Sequence, residues 1–350
     1  MNILFAGTIE SMFQTGTQRL RALKHIGYDA TGVSITEAQR ESRVLSYIRR
    51  FVSQPMYERL LEPNARAVSK IILDGADQVK PDIIWLEWPR MVPASTLVEL
   101  RKRFPNVIIA SYQDDNPFGV RRFAKYGWQR FFDAMPNYDI HLVKRQSDVA
   151  EYMALGAKKV EVHQTGFSED LYYPEAVAPE TVRHPVIFVG TALDHRVGFL
   201  DRLTGEMGVE VHIYGKRWER TPLYANRKEL LHGFLSETGY RQSVCGAKIA
   251  LGFVSHSNLD EYAGRTFEVP ACGTMFLVER TPAQQEIYVE DKEVVFFDTA
   301  EECRDKIKYY LSHDEEREKI AAGGLARSKE YGFRARMEEA ISVIANCNQS

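Results

Sequence analysis

The chain has 350 residues, of which 44% are hydrophobic and 27% charged, with a formal net charge of −3. That length exceeds one ordinary hydrophobic core and fits two domains of roughly 150 to 180 residues each. The near balance of charge argues against bulk nucleic-acid binding, because polyanion binders usually show a basic excess.

The four cysteines, Cys245, Cys272, Cys303 and Cys347, stand far apart with no C-x-x-C and no partnering histidine pattern. A reducing compartment without structural zinc is expected. Residues 3–7 form a short apolar strand at the start, without the basic and apolar regions of a secretory leader. No apolar run approaches the roughly 20 residues needed to span a bilayer, so a cytoplasmic protein is expected.

Thr15-Gly16-Thr17 precedes a helical pattern with Leu20, Leu23 and Ile26 apolar, closed by Gly27. This is the strand, loop and helix that open a Rossmann-like half. It lacks G-x-G-x-x-G, which disfavours a nicotinamide enzyme. From Arg40 to Val52, the residues Val44, Tyr47, Ile48, Phe51 and Val52 share one helical face, while Arg40, Arg43, Arg49 and Arg50 lie largely off it. Such a helix either faces the core with a solvated basic back or rests peripherally on anionic lipid at the inner face of a membrane. A second helix is expected at about 65–79.

Asp82 to Trp88 and Val107 to Ser111 read as strands. The first delivers Glu87 and Trp88 to its carboxyl end, and the second ends in Tyr112 to Pro117 with Asp114 and Asp115. Ligands of open α/β sheets bind outside such ends. The adjacent acids either serve a site or make an Asp-rich turn or helix cap. Arg121, Arg122, Lys125 and Arg130, interleaved with Phe123, Tyr126 and Trp128, read as a solvated helix face or as an attractant for an acidic acceptor. His141, in the strand Tyr138 to Val143, reads as a satisfied core histidine.

Pro174, Pro179 and Pro185 mark residues 173–185 as a linker. Pro185 to Thr191, with Gly190 and Thr191 at its end, then restarts a strand, loop and helix that echoes residues 3–17. Thr299-x-x-Glu302 and Ser312-x-x-Glu315 read as capping boxes starting two helices.

The most informative run is 264–280, GRTFEVPACGTMFLVER. Pro270 lacks an N–H and clashes with the carbonyl four residues back, so a helix containing it begins close upstream, at about Thr266. Gly273 ends it, and Met275 to Val278 continue as a strand of a buried parallel sheet. The free amides at Thr266 and the charge of Arg265 favour an anion such as phosphate. Glu268, about one turn in, either accepts hydrogen bonds from ribose hydroxyls or only complements the helix dipole, with Arg265 a solvated charge.

Arg265 to Gly273, together with Glu279-Arg280-Thr281-Pro282, resembles the CgeB-like glycosyltransferases, a branch of the GT-B group allied to the family 4 retaining enzymes. The likeness continues through Glu293 to Val295 and through 309–318, covering the second half well and the first weakly. It implies an α/β GT-B fold of two Rossmann-like domains facing a central cleft. Residues 1–172 would form the acceptor-side domain, 173–185 the linker and 186–332 the nucleotide-sugar domain. The stretch 333–350 would return to the first domain, with Met337 to Ile344 packing there.

The same resemblance implies roles for single residues. Gly16 stands at the loop that faces the donor phosphates, and Arg196 and Lys216, with Gly190 and Thr191, are the positions available to clamp the diphosphate. Phe234 and Leu235 fall in the turn whose backbone pairs with the nucleobase. Asp114 and Asp115, with Glu87, are the acceptor-side candidates for catalysis. Of the family's E-x(7)-E pair the second member is Glu268, whereas the first falls on Asp260, a shorter carboxylate.

The implied activity moves a sugar from a nucleoside-diphosphate sugar to an acceptor hydroxyl on a glycan, glycolipid, protein or small molecule. Retention of configuration is expected, without a metal or a cofactor. An epimerase of the same fold would instead turn over the donor without an acceptor. A non-catalytic nucleotide-sugar-binding subunit would bind it without transfer.

Overall fold

The computed structural model describes residues 1–120 and 126–347. Arg121, Arg122, Phe123 and Lys125 of the expected basic and aromatic face lie outside the described residues. The chain divides into two compact units, Met1–Thr165 with Phe333–Ser350, and Gly166–Gly332.

The first unit is built on a parallel sheet in the order β2-β1-β3-β4-β5-β6. Its strands are β1 (Asn2–Gly7), β2 (Asp29–Ser34), β3 (Ile83–Glu87), β4 (Ile108–Gln113), β5 (Ile140–Val143) and β6 (Val160–Val162). Because successive side chains of a strand point to opposite faces, Ile3 and Phe5 of β1 and Ile83 and Trp85 of β3 enter one core. There they meet Leu20 and Leu23 of the helix Thr15–His25, and Met337 and Ile341 of the helix Phe333–Ala345. Leu4, Ala6, Ile84 and Leu86 enter the other core, against Val68 and Ile72 of the helix Glu62–Val79. Burial on both faces is why these strands are continuously apolar rather than alternating. The final helix thus packs where the resemblance implied, in the first unit.

The second unit repeats the scheme with a parallel sheet in the order β11-β10-β9-β7-β8. It comprises β7 (Val186–Val189), β8 (His212–Tyr214), β9 (Ile249–Gly252), β10 (Met275–Glu279) and β11 (Val295–Phe297). Met275 and Leu277 of β10 point into one core, and Phe276 and Val278 into the other. The helix Arg265–Ala271 lays Phe267 and Val269 on the second of these cores, which fixes its orientation.

Three local features differ from the sequence reading. The helix expected over 40–52 is shorter, Arg43–Ile48, and stands between two further helices, Thr36–Gln39 and Gln54–Leu60. Ser42 caps Arg43–Ile48 by accepting from Leu45 N at 3.1 Å, and Pro55 sits at the start of Gln54–Leu60, where its missing N–H is harmless. Val44, Tyr47 and Phe51 are 66%, 61% and 70% exposed, whereas Val52 packs against the core, so the apolar face of this segment enters the core only at its end. The Thr299 cap forms, with its hydroxyl accepting from Glu302 N at 3.2 Å and Glu302 accepting from Asp298 N at 2.8 Å. The Ser312 cap does not, because that hydroxyl donates back to Tyr309 O at 2.8 Å within the preceding helix.

Residues 173–185 fall within the second unit. They are tied to the helix Glu237–Cys245, where Gln242 accepts from Ala178 N at 2.8 Å and Arg241 pairs with Glu175.

Candidate active site

In the second sheet the chain leaves β7 for β8 on one side and returns as β9 on the other, so the carboxyl ends of β7 and β9 flank a topological switch point, where ligands of open sheets bind. Arg196 stands there, buried, with Nη2 donating to Val254 O just past β9 at 3.0 Å. Burial pushes its guanidinium below the usual arginine range. Asp194 opposes that shift, Arg265 reinforces it, and Glu279 and Asp260 also act on it. The fold therefore brings Arg196, Arg265 and Asp260 into one electrostatic neighbourhood. Among the described residues, the buried Nε–H groups of Arg196 and Arg265 have no hydrogen-bond partner, a state they share with those of Arg19 and Arg90.

Arg265 begins the seven-residue helix Arg265–Ala271, as Pro270 requires. Its guanidinium lies 5.9 Å from the Tyr240 ring centre. Burial lowers its proton affinity, but Glu268 and Tyr240 more than offset this and leave it raised. Glu268 is half-buried and accepts from the Tyr240 hydroxyl at 2.9 Å. Asp260 accepts from Asn258 Nδ2 at 2.9 Å.

The expected free amides are largely engaged. Thr266 N–H bonds to Ala263 O at 3.0 Å, and Phe267 and Glu268 N–H both bond to Gly264 O, at 3.0 and 3.1 Å. A helical turn at Gly264 supplies these acceptors, so attraction for an anion rests on the guanidinium groups. The Thr266 hydroxyl is buried and donates to Gln284 at 2.9 Å, a structural contact.

The loops after β7 and β8 are joined to each other. Gly190 N–H bonds to Tyr214 O at 2.8 Å, Ala192 N–H to Lys216 O at 3.0 Å, and Trp218 Nε1–H to Gly190 O at 2.8 Å. Gly215 has φ +142°, and a Cβ there would lie 2.0 Å from Gly190 O, so no other residue fits. The join holds Thr191 half-buried and presents exposed Lys216, whose ammonium lies 4.4 Å from the ring centre of exposed Phe234. Leu235, half-buried, packs against the core beneath.

In the first unit the switch point falls between β1 and β3. Here the fold assembles a cluster around Arg19, which the sequence reading missed. Arg19 is fully buried, pairs with Glu87, reaches Asp114 at 3.2 and 3.3 Å, and donates to Thr165 Oγ1 at 2.8 Å. Its guanidinium stacks 4.0 Å from the Tyr112 ring centre. Glu87 also accepts from Trp85 Nε1 at 3.0 Å.

Burial pushes the Glu87 carboxyl up despite Arg19. Burial acts the same way on Asp114, but there Arg19 wins and holds the carboxyl below its usual range. Two neighbouring carboxyls pushed apart in this way are how acid and base roles separate. Asp115 is exposed and accepts from Trp88 Nε1 at 3.1 Å. Gly16 is placed by contact, because a Cβ there would lie 2.6 Å from Thr8 O.

Two histidine groups have spacing that suits a metal. His195, His256 and Glu279 gather ligand atoms within 4.8 Å of one another, as do His184, His212 and His232. In the first group the Glu279 carboxylate already takes His256 at 2.5 Å, His195 at 3.3 Å and Val254 N–H at 3.0 Å.

Residues 196–342 match a family model described as glycosyl transferase-like. The match spans less than half of the chain. No curated protein sequence matches it. Among solved structures, a sucrose-phosphate synthase from Thermosynechococcus elongatus superposes with a TM-score of 0.69 at 11% identity, over 100% of both chains. HepE from Anabaena, solved with UDP, gives 0.65 at 12% identity over 99% of this chain and 100% of its own. A glycosyltransferase from Rickettsia africae gives 0.62 at 15% identity over 100% and 99%. At these identities the likeness establishes the fold, which is GT-B.

The buried histidines of the first unit give a pH test. Burial holds His141 down to about 4 and His163 down to about 3. An unfolded chain takes up these protons near pH 6.5, so below that pH the unfolded state binds more protons and stability falls as pH drops. Each histidine contributes about 1.4 kcal/mol per pH unit in that window. Urea unfolding between pH 6 and 5 should therefore show His163→Gln flattening the slope by about that amount. An unchanged slope would contradict the burial of His163.

Proposed function

We propose that this chain is a glycosyltransferase of the CgeB-like branch that takes its sugar from a nucleoside diphosphate and delivers it to an acceptor hydroxyl. The observation that carries this reading is the electrostatic proximity of Arg196 and Arg265 at the switch point of the second sheet. Positive groups fixed in advance around a diphosphate stabilise the charge that develops on it as the glycosidic bond breaks. Lys216 adds a mobile charge from the neighbouring loop, while Glu268 and Asp260 supply acceptors for hydroxyls of the ribose and the sugar.

In this reading transfer proceeds with retention and without a metal, the leaving phosphate taking the acceptor proton. HepE was solved with UDP, which makes uridine diphosphate and its sugars the first donors to test. The first unit contributes the acceptor side through Asp114, ionised beside Arg19, and Asp115. The exposed Val44, Tyr47 and Phe51, flanked by exposed Arg43 and Arg50, support peripheral contact of a cytoplasmic enzyme with an anionic bilayer. No helix among the described residues is long and apolar enough to cross a membrane.

Three outcomes follow. Glu268→Gln should weaken nucleoside diphosphate binding about tenfold, since one hydrogen bond to a charged group contributes about 1.5 kcal/mol, with the melting temperature nearly unchanged; calorimetry giving equal affinities would remove the ribose contact. Asp114→Asn with Asp115→Asn should lower the transfer rate much more than donor affinity, and parental kinetics would take this loop out of the mechanism. Sedimentation with phosphatidylserine vesicles should capture the chain and release the Tyr47→Ser, Phe51→Ser variant; equal recovery of both would discard the membrane contact.

A further inference from the structure

The second histidine group lies away from the arginines. His184 precedes β7 and His212 opens β8, so both stand at the amino ends of these strands, opposite the carboxyl ends where Arg196 sits. His232 joins them because Leu231 bridges to Ile213 and His232 N–H bonds to Ile213 O at 2.9 Å. The rings of His184 and His212 stack at 3.4 Å between centres, and His232 lies 4.8 and 5.0 Å from them. One ring nitrogen of each falls within 4.8 Å of the other two.

We propose that His184, His212 and His232 bind a late first-row divalent cation, zinc foremost. His212 Nε2 lies 2.9 Å from Glu210 Oε1, and Nδ1 lies 2.8 Å from His232 Nε2. With its Nε2–H held by the Glu210 carboxylate, His212 keeps the Nδ1 lone pair, which now accepts the Nε2–H of His232. A cation replaces that hydrogen, and the His232 proton moves to its own Nδ1.

Zinc–nitrogen bonds of about 2.0–2.1 Å in tetrahedral geometry set the two nitrogens roughly 3.4 Å apart, an expansion of well under 1 Å. A ligating histidine whose other nitrogen is held by a carboxylate is the usual outer arrangement of such sites, fixing the tautomer and raising basicity. Imidazole ligands without thiolate suit zinc, copper, nickel and cobalt better than magnesium or calcium. His184, whose ring is stacked on that of His212 at 14° between planes, has to swing its edge toward the ion to become the third ligand, which leaves a fourth position for water. The three histidines come from segments 28 and 20 residues apart, with no spacing that a motif would capture. The site stands apart from the proposed transfer reaction, but it anchors His232, from which the chain runs through Gly233 to the exposed Phe234.

The test uses the untagged full chain after treatment with chelator. Cobalt(II) titration followed in the visible spectrum, and zinc competition against a chromogenic chelator, should both show one equivalent bound. His212→Gln and His232→Gln should each abolish it, Glu210→Gln should weaken it about 10- to 100-fold, and His256→Gln should leave it intact. His232 is exposed, so the metal-free melting temperature of its variant should match the parent. Absence of stoichiometric binding, or binding lost in His256→Gln but kept in His232→Gln, would overturn the proposal and leave a hydrogen-bonded histidine stack.

Discussion

Two guanidinium groups in one electrostatic neighbourhood repel each other unless negative charge offsets them. Arg196 and Arg265 are in that position at the carboxyl ends of the second sheet; burial is the main cause of the lowered proton affinity of Arg196, and Arg265 adds to it. Carboxylates are present, but two are committed locally. Asp194 accepts from the Ser255 hydroxyl at 2.7 Å, and Glu279 is shared by His195, His256 and the Val254 amide. The rest of the unit holds the pair in place. Pro270 shortens the helix that starts at Arg265, Phe267 and Val269 pin that helix to the core, and the Val254 carbonyl fixes Arg196.

The first unit solves the opposite problem. Arg19 is buried completely but surrounded by acceptors, Glu87, Asp114 and Thr165, with Tyr112 against its face. A buried ion pair of this kind contributes little net stability, since desolvation offsets most of the attraction. What it does achieve is to fix Asp114 in ionised form just past the carboxyl end of β4. Its neighbour Glu87 is pushed toward the protonated form. Both clusters thus occupy corresponding points of two similar sheets, one gathering arginines and the other holding a carboxylate beside an arginine.

Much of the scaffold was legible because burial on both faces of a parallel sheet leaves an unmistakable apolar run, as in Ile83 to Leu86 or Met275 to Val278. Strand β2 was not, because it lies at the sheet edge, and its sequence Asp-Ala-Thr-Gly-Val-Ser has neither alternation nor an apolar run. The face at 44–51 stays open between core and surface in the sequence for a related reason: an apolar stripe says that a helix is amphipathic, not what covers it.

The closeness of Arg265 and Glu268 follows from their spacing on one helical turn, a local feature of the sequence. The contact of Arg196 with Val254 spans 58 residues and exists only once the sheet has formed. Arg19 left a signal that could have been used, a charge at the position between Gly16 and Leu23 that otherwise belongs to the buried helical stripe. The fold replaced the expected free amides of the helix start by a further turn at Gly264, which no propensity argument resolves to one residue.

The most direct measurement of the central claim is calorimetric titration of the full chain with uridine, uridine monophosphate and uridine diphosphate at low and high salt, repeated with guanosine, adenosine, thymidine and cytidine compounds. If paired guanidinium groups hold a diphosphate, at least one diphosphate should bind far more tightly than its monophosphate, lose affinity as salt rises, and lose most of the remainder in the Arg196→Met, Arg265→Met variant. Binding that ignores the second phosphate, or survives in that variant, would contradict the account.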